Sequence, residues 1–159
     1  MKKIYFIIVF ISAIFSQKIS ENGLEINTLK EFSISIGPLN DIAKEIGLSK
    51  KEILETIKLK LQDNETTPQD NQSTYLLINI DCLPLNYSDG RSTGMYVYNI
   101  QTNFIRPVTF KRNEEFLSFS NASVWNNYSS GFTNNSYTII NDLLRMIDTF
   151  SFNLKSANK

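Results

Sequence analysis

GMYVYNIQTNFIRPVTFKR, residues 94 to 112, is the longest strand-like run in the chain. Tyrosine, valine, isoleucine, threonine and phenylalanine dominate it, which is typical of a pleated strand. One of its two alternating sets of side chains is apolar or aromatic and comprises Tyr96, Tyr98, Ile100, Thr102 and Phe104. The other set turns polar after Val97, so we expect one face to be buried and the other to meet water or a partner. Pro107 cannot donate a ladder hydrogen bond, which predicts an edge or a bulge at the far end.

Three other segments have the pattern of strands. Phe32, Ile34 and Ile36 alternate with serines, which predicts a first strand with one buried face. Tyr75 to Leu83 predicts a second strand, joined to the long one by a turn-rich connection. Its predicted buried face comprises Leu76, Ile78, Ile80 and Cys82. Phe116 to Trp125 predicts the last strand, and the polar segment Asn126 to Asn135, which contains a glycine, predicts a loop.

Helical spacing of apolar residues appears in two longer segments and one short one. A short helical turn is predicted over Asn40 to Ile46. The next helix should run from about Lys50 to Gln62, because Ser49 and Glu52 have the spacing of a capping box. The last helix should run from about Tyr137 to Ala157, with Asn135 or Ser136 as its cap. These elements predict an α+β two-layer sandwich, with a mainly antiparallel sheet and both longer helices on one face.

The amino terminus, MKKIYFIIVFISAIFSQ, has the layout of a secretory signal peptide, with two lysines before an apolar run that is short for a spanning helix. We expect cleavage near Ser16, which gives a signal peptide over residues 1–16 and a single α+β domain over residues 17–159. An uncleaved leader that anchors the protein is the alternative, and membrane contact is expected only through such a leader. After cleavage, the mature protein is expected to be periplasmic or secreted.

Composition excludes several kinds of function. The formal net charge is zero, so no electrostatic footprint for nucleic acid is present. The chain has no histidine, and it has one cysteine, which excludes an internal disulfide and a multi-cysteine zinc site. We therefore predict no cofactor and no metal, and the sequence favours a non-catalytic role without excluding an enzyme.

The strand runs Tyr75 to Ile80 and Met95 to Ile100, followed by Trp125 and a terminal amphipathic helix, resemble small exported bacterial α/β proteins of unassigned function. The element order is similar to that of the amino-terminal domain of TolB and of LptE-like envelope proteins. In place of the extra strand expected there after the first helix, this chain has the polar segment Asp63 to Thr74. The resemblance implies an envelope-interaction role and supplies no functional residues.

Aromatic residues are the best candidates for a binding site, since an exposed aromatic patch could dock a peptide, a glycan or a partner protein. The candidates are Trp125, Tyr128, Phe132, Tyr96 and Tyr98. The first three are favoured because a loop can leave them partly exposed. The alternative is that all of them pack in the core or on the sheet.

The single cysteine, four carboxylates and six Asn-x-Ser/Thr triplets are the other residues that carry candidate chemistry. Cys82 is expected to be a buried apolar residue, with a reactive or intermolecular thiol as the alternative. A histidine-free hydrolase would need a carboxylate pair drawn from Asp81, Asp89, Glu114 and Glu115, which the spacing does not bring together. Six Asn-x-Ser/Thr triplets are glycan acceptors only in a eukaryotic host.

The leading hypothesis is therefore an exported, non-catalytic binding or envelope-assembly module. It would act on an envelope or extracellular protein through a sheet edge or an aromatic patch. The carboxylate-dependent hydrolase is the alternative, and no catalytic residue is assigned.

Overall fold

A computed structural model describes residues 31–112 and 115–157, with the backbone alone over 108–112 and 115–120. The predicted leader and Glu114 lie outside the described residues. The described elements in chain order are β1 (Ser33–Ile36), α1 (Asp41–Glu45), α2 (Lys50–Asp63), β2 (Tyr75–Asn86), β3 (Ser92–Arg112), β4 (Glu115–Thr133) and α3 (Ser136–Ala157). None of these helices combines the length and the apolar character that crossing a bilayer requires.

The four described strands form one sheet in the order β1-β2-β3-β4. β2, β3 and β4 are an antiparallel meander, with Ile80 opposite Ile100 and Phe104 opposite Trp125. The sheet is mainly antiparallel, as predicted, and β1 is the exception because it pairs with β2 in parallel. The crossover that parallel strands require is made by α1 and α2. The α+β class is confirmed, with a mixed sheet.

The predicted loop from Asn126 to Asn135 is wrong over most of its length, because β4 continues to Thr133. Residues 126–133 pair without interruption with residues 96–103 of β3. The apolar and aromatic part of β3 therefore has a partner strand along its edge. The sequence did not predict this strand, because its residue types favour turns. Asn135 begins α3 as predicted, since its Oδ1 accepts a hydrogen bond of 3.2 Å from the backbone N–H of Thr138.

The hydrophobic core lies between the sheet and the helices. Ile53, Ile57 and Leu61 of α2 and the apolar stripe of α3 pack with the buried strand residues in one cluster. The predicted buried faces are confirmed: Leu76, Ile78, Ile80 and Cys82 of β2 and Tyr98, Ile100, Thr102 and Phe104 of β3 are all at most 3% exposed. Both longer helices thus cover the same face of the sheet, as predicted.

Local sequence signals set the start of α2 and the bulge of β3. The Ser49 hydroxyl accepts a 3.2 Å hydrogen bond from the N–H of Glu52 and donates one of 3.0 Å to its carboxylate. The cap is confirmed, although the carboxylate of Glu52 bonds the serine hydroxyl and not the backbone N–H of a full capping box. The pairing of β3 with β4 shifts register between Arg106 and Val108, so the irregularity expected at Pro107 is present.

Candidate functional site

The sheet has one face against the helices and one face turned away from them, which we call the outer face. Because side chains alternate along a strand, the residues between the buried positions of β2, β3 and β4 lie on this outer face. Asp81, Asn99, Gln101 and Asn126 are exposed there, in the polar middle of the sheet. At the end nearer the β2–β3 turn the outer face becomes apolar.

Five apolar side chains at that end form what we call the outer apolar patch: Leu83, Leu85, Met95, Val97 and Phe132. The register places them in two cross-strand rows. Val97 lies between Leu83 and Phe132 in one row, and Leu85 is paired with Met95 in the other. Leu83 and Phe132, on either side of Val97, are 62% and 65% exposed, which is unusual for large apolar residues in one row on a folded surface. An apolar partner could cover this patch.

The five aromatic residues that the sequence suggested for binding do not share a surface. Trp125 and Tyr98 lie on the buried face and are 8% and 3% exposed, and Tyr96 is half-buried on the same side of β3. Tyr128 and Phe132 point outward and are 72% and 65% exposed. The premise that a loop exposes Trp125 was wrong, because a strand places it opposite Phe104. A binding role for these aromatic residues stays a prediction, and the geometry makes Tyr128 and Phe132 the accessible pair.

Tyr98 is part of a polar cluster that reaches from the buried face of the sheet to the surface. Its hydroxyl donates a 2.5 Å hydrogen bond to the carboxylate of Asp142 on α3, which also accepts one of 3.2 Å from the Ser129 hydroxyl. Arg145 pairs with the other carboxylate oxygen at 3.4 Å. Burial, then the hydrogen bond to Asp142 and its charge, raises the pKa of Tyr98 to about 12. The cluster joins β3, β4 and α3 and is satisfied internally.

We expect Tyr98 to make stability depend on pH above pH 10. An unfolded tyrosine has a pKa near 10, and the folded Tyr98 has a pKa of about 12. The unfolded state therefore loses its proton first, and the stabilisation present below about pH 10 is lost as the pH rises towards 12. Tyr98→Phe cannot ionise, so its free energy of unfolding should fall less over this range. Denaturant unfolding from about pH 8 to about pH 12 measures the difference.

Tyr137→Phe is the matched control for that measurement, since Tyr137 is 73% exposed on α3. It should retain the pH dependence of the unsubstituted protein. An identical slope for the Tyr98→Phe variant would contradict the assignment of the high pKa to Tyr98.

The single cysteine lies where the sequence placed it. Cys82 is fully buried, and its burial, with the nearby charge of Asp81, raises the pKa of its thiol to about 11. A thiol in such a site is protonated and inaccessible near neutral pH, so it behaves as a small apolar residue.

The candidate carboxylates are spread along the sheet. Asp81 is exposed on the outer face, and Asp89 lies in the β2–β3 turn, where it pairs with Arg91 at 2.7 Å. Glu115 begins β4 opposite Arg112, thirteen residues along β3 from Asn99, the partner of Asp81. That is roughly 40 Å of strand. Asp81 and Glu115 therefore cannot act as a catalytic pair.

The described residues hold few other features that suggest catalysis. An open cleft of about 560 Å³ beside β1 is lined mainly by polar side chains, including Asp70, whose carboxylate pairs with Lys58 at 3.3 Å. Across residues 31–112 and 115–157 no cluster of cysteine, aspartate and glutamate side chains is arranged to hold a metal ion.

Sequence reasoning missed Leu83 and Leu85 as members of a surface site. It ended the second strand at Leu83, whereas β2 continues to Asn86. The sequence did contain a signal for an apolar outer face. Leu77, Leu83 and Leu85 occupy positions of β2 that alternate with the inward-facing residues.

No protein family and no curated protein sequence was found to match this chain. Among solved structures, the rare lipoprotein B from Shewanella oneidensis is similar with 12% sequence identity over 80% of this chain and 88% of that chain. The TM-score is 0.26, a value that does not establish a shared fold.

Proposed function

We propose that this protein is a non-catalytic binding module of the envelope or the extracellular space, and that it takes a partner protein on the outer apolar patch. The observation that carries the proposal is the row of Leu83, Val97 and Phe132 across three strands, on the face of the sheet opposite the described helices. Two members of this row are more than 60% exposed. A site of this kind binds by excluding water from apolar side chains.

The residues that border the patch and the predicted signal peptide support this proposal. Towards the middle of the sheet the patch is bordered by asparagine, glutamine and serine side chains with one carboxylate, that of Asp81. On its other side lies the β2–β3 turn, where the charges of Asp89 and Arg91 are paired with each other. Such a border matches the usual anatomy of an interface, in which an apolar centre is surrounded by polar groups. The predicted signal peptide takes the protein to a compartment where its partner is an exported protein. The chemistry expected of the partner is therefore a surface with apolar side chains and little charge.

We expect the double variant Leu83→Ser with Phe132→Ser to weaken partner binding at least about thirtyfold, which corresponds to about 2 kcal/mol. These are the two most exposed side chains of the patch and they flank Val97 in one cross-strand row, so their removal takes away most of the apolar surface offered to a partner. The partner is first recovered by crosslinked pull-down of the tagged full-length protein from its native host. Its affinity for the purified variants is then measured by calorimetry.

The matched control is the double variant Leu59→Ser with Phe152→Ser. These residues are 63% and 71% exposed on α2 and α3, so the control removes the same two side-chain types at similar exposure from the helical layer. It should bind the partner as the unsubstituted protein does. Equal affinity for all three proteins, or equal losses in both double variants, would remove the patch from the binding site.

A further inference from the structure

The outer edge of β4 is a second surface with the properties of an interface. β4 is the last strand of the sheet, and none of the described residues pairs with its outer side. It runs for 19 residues, whereas the opposite edge strand β1 has four. A long edge strand presents a row of backbone donors and acceptors that can pair with another strand.

The residues of β4 lack the features that usually prevent such pairing. No charged residue and no proline occurs between Phe116 and Asn141. Natural edge strands are commonly protected by lysine, by proline or by inward-pointing charges. The two irregularities in the pairing of β4 with β3 lie between Trp125 and Ser123 and between Ala122 and Phe119, before the segment that carries Tyr128 and Phe132. Residues 125–133 are thus an uncharged edge whose pairing with β3 has no register shift. The backbone N–H of Tyr128 donates to the Asn127 Oδ1 at 2.9 Å, so this side chain must turn away when a second strand pairs there.

We infer that two copies of this chain pair antiparallel through β4, about a two-fold axis at Ser130. Tyr128 and Phe132 lie two residues to either side of Ser130 and both point outward. In an antiparallel pair centred at Ser130, Tyr128 of each copy lies opposite Phe132 of the other. Directly opposite side chains are about 5 Å apart at Cβ, so the pairing forms two cross-strand aromatic contacts.

A second copy fits this edge because the contact is self-complementary. Around a two-fold axis every residue meets the residue that lies equally far on the other side, so a charge at the axis would face its own copy, and a charge one or two positions away would lie close to its copy. The uncharged segment avoids that repulsion. The two aromatic side chains, which are exposed in one copy, cover each other in two. The resulting sheet is continuous through eight strands.

This inference goes beyond the proposed function, because the edge of β4 and the outer apolar patch are different surfaces that share Phe132. Leu83, Leu85, Met95 and Val97 lie on β2 and β3 and stay accessible in the pair. Pairing brings the patches of the two copies onto the same face of one sheet. A partner could then contact both.

The test compares two serine-to-lysine variants of the chain from Gln17 to Lys159 by sedimentation equilibrium. Ser130→Lys places two ammonium groups opposite each other at the axis, and we expect the dissociation constant of the dimer to rise at least about tenfold. Ser156→Lys adds the same charge at an exposed position near the end of α3 and should leave the dimer intact. Circular dichroism verifies that both variants are folded. A monomeric parent protein, or a dimer unaffected by Ser130→Lys, would overturn the inference.

A second measurement tests the register. Ser130→Cys should form a disulfide-linked dimer rapidly with diamide as the oxidant, because the two thiols meet at the axis within bonding geometry. Ser156→Cys should not, and the parent protein has only the buried Cys82 to offer. Equal rates for the two cysteine variants would exclude an axis at Ser130.

These outcomes separate the inference from the proposed function. If the parent protein is monomeric while the variant with Leu83→Ser and Phe132→Ser loses its partner, the β4 pairing is wrong and the patch is retained. If the dimer forms and the patch variants bind normally, the reverse holds.

Discussion

Replacing Phe150 by alanine is expected to lower the free energy of unfolding by about 3–5 kcal/mol. Phe150 is fully buried on α3 and contacts three other rings. Its ring centroid lies 5.6 Å from that of Phe32, 5.1 Å from that of Phe104 and 5.2 Å from that of Trp125. These contacts join α3 to β3, to β4 and to Phe32, the residue directly before β1, so the cavity left by alanine would lie where the neighbouring elements cannot readily close it. Denaturant unfolding followed by circular dichroism measures the loss.

Phe152→Ala is the control for this measurement. It removes the same side chain from the same helix two residues further on, at a position that is 71% exposed. We expect its effect on the free energy of unfolding to be within about 0.5 kcal/mol. Similar losses in the two variants would contradict the assignment of Phe150 to the core and of α3 to the face of the sheet.

Gly131→Ala is expected to lower the free energy of unfolding by about 1–3 kcal/mol through overpacking. A Cβ atom at Gly131 would lie 2.7 Å from the hydroxyl oxygen of Tyr98 and 2.9 Å from the ring carbon that bears it. The tyrosine cannot move away freely, because its hydroxyl is hydrogen-bonded to Asp142. Either the ring shifts and the hydrogen bond lengthens, or β4 separates from β3. Thermal or denaturant unfolding of the variant measures the cost.

Two further variants identify the cause. Ser130→Ala alters the adjacent residue on the outer face and should leave the stability nearly unchanged. In a Tyr98→Leu background the ring tip is absent, so the additional cost of Gly131→Ala should become small. A cost that persists in that background would place its origin in the backbone of β4 instead of the tyrosine.

The parts of the fold that local chemistry determines were predictable. The alternation of Tyr98, Ile100, Thr102 and Phe104 gave the buried face of β3, and the Ser49–Glu52 pair gave the start of α2. β4 was not fully predictable, because asparagine, serine and glycine favour turns when considered alone. Their place in a strand is set by pairing with β3 and by the Tyr98 ring, which needs the space at Gly131. This is a tertiary effect on strand preference.

The orientation of the aromatic residues was not predicted for the same reason, because residues 126–133 were predicted to be a loop. Once residues 126–133 are a strand, alternation turns Trp125 inward and Tyr128 and Phe132 outward, so a single loop surface cannot form. The parallel direction of β1 was also hidden. A strand of four residues gives no directional signal, and its direction follows from a crossover through two helices.

The parallel pairing of β1 also sets the order in which the sheet assembles during folding. Ser33 pairs with Tyr75, 42 positions later in the chain (75 − 33 = 42), whereas Arg112 of β3 pairs with Glu115 of β4, only three positions later. Closing a long loop costs more chain entropy than closing a short one, and local contacts form faster. We therefore expect the meander of β2, β3 and β4 to form first and β1 to join it last. A chain that emerges from its amino terminus during synthesis or export exposes β1 well before its partner strand has appeared, so Phe32 remains uncovered until the rest of the core has formed.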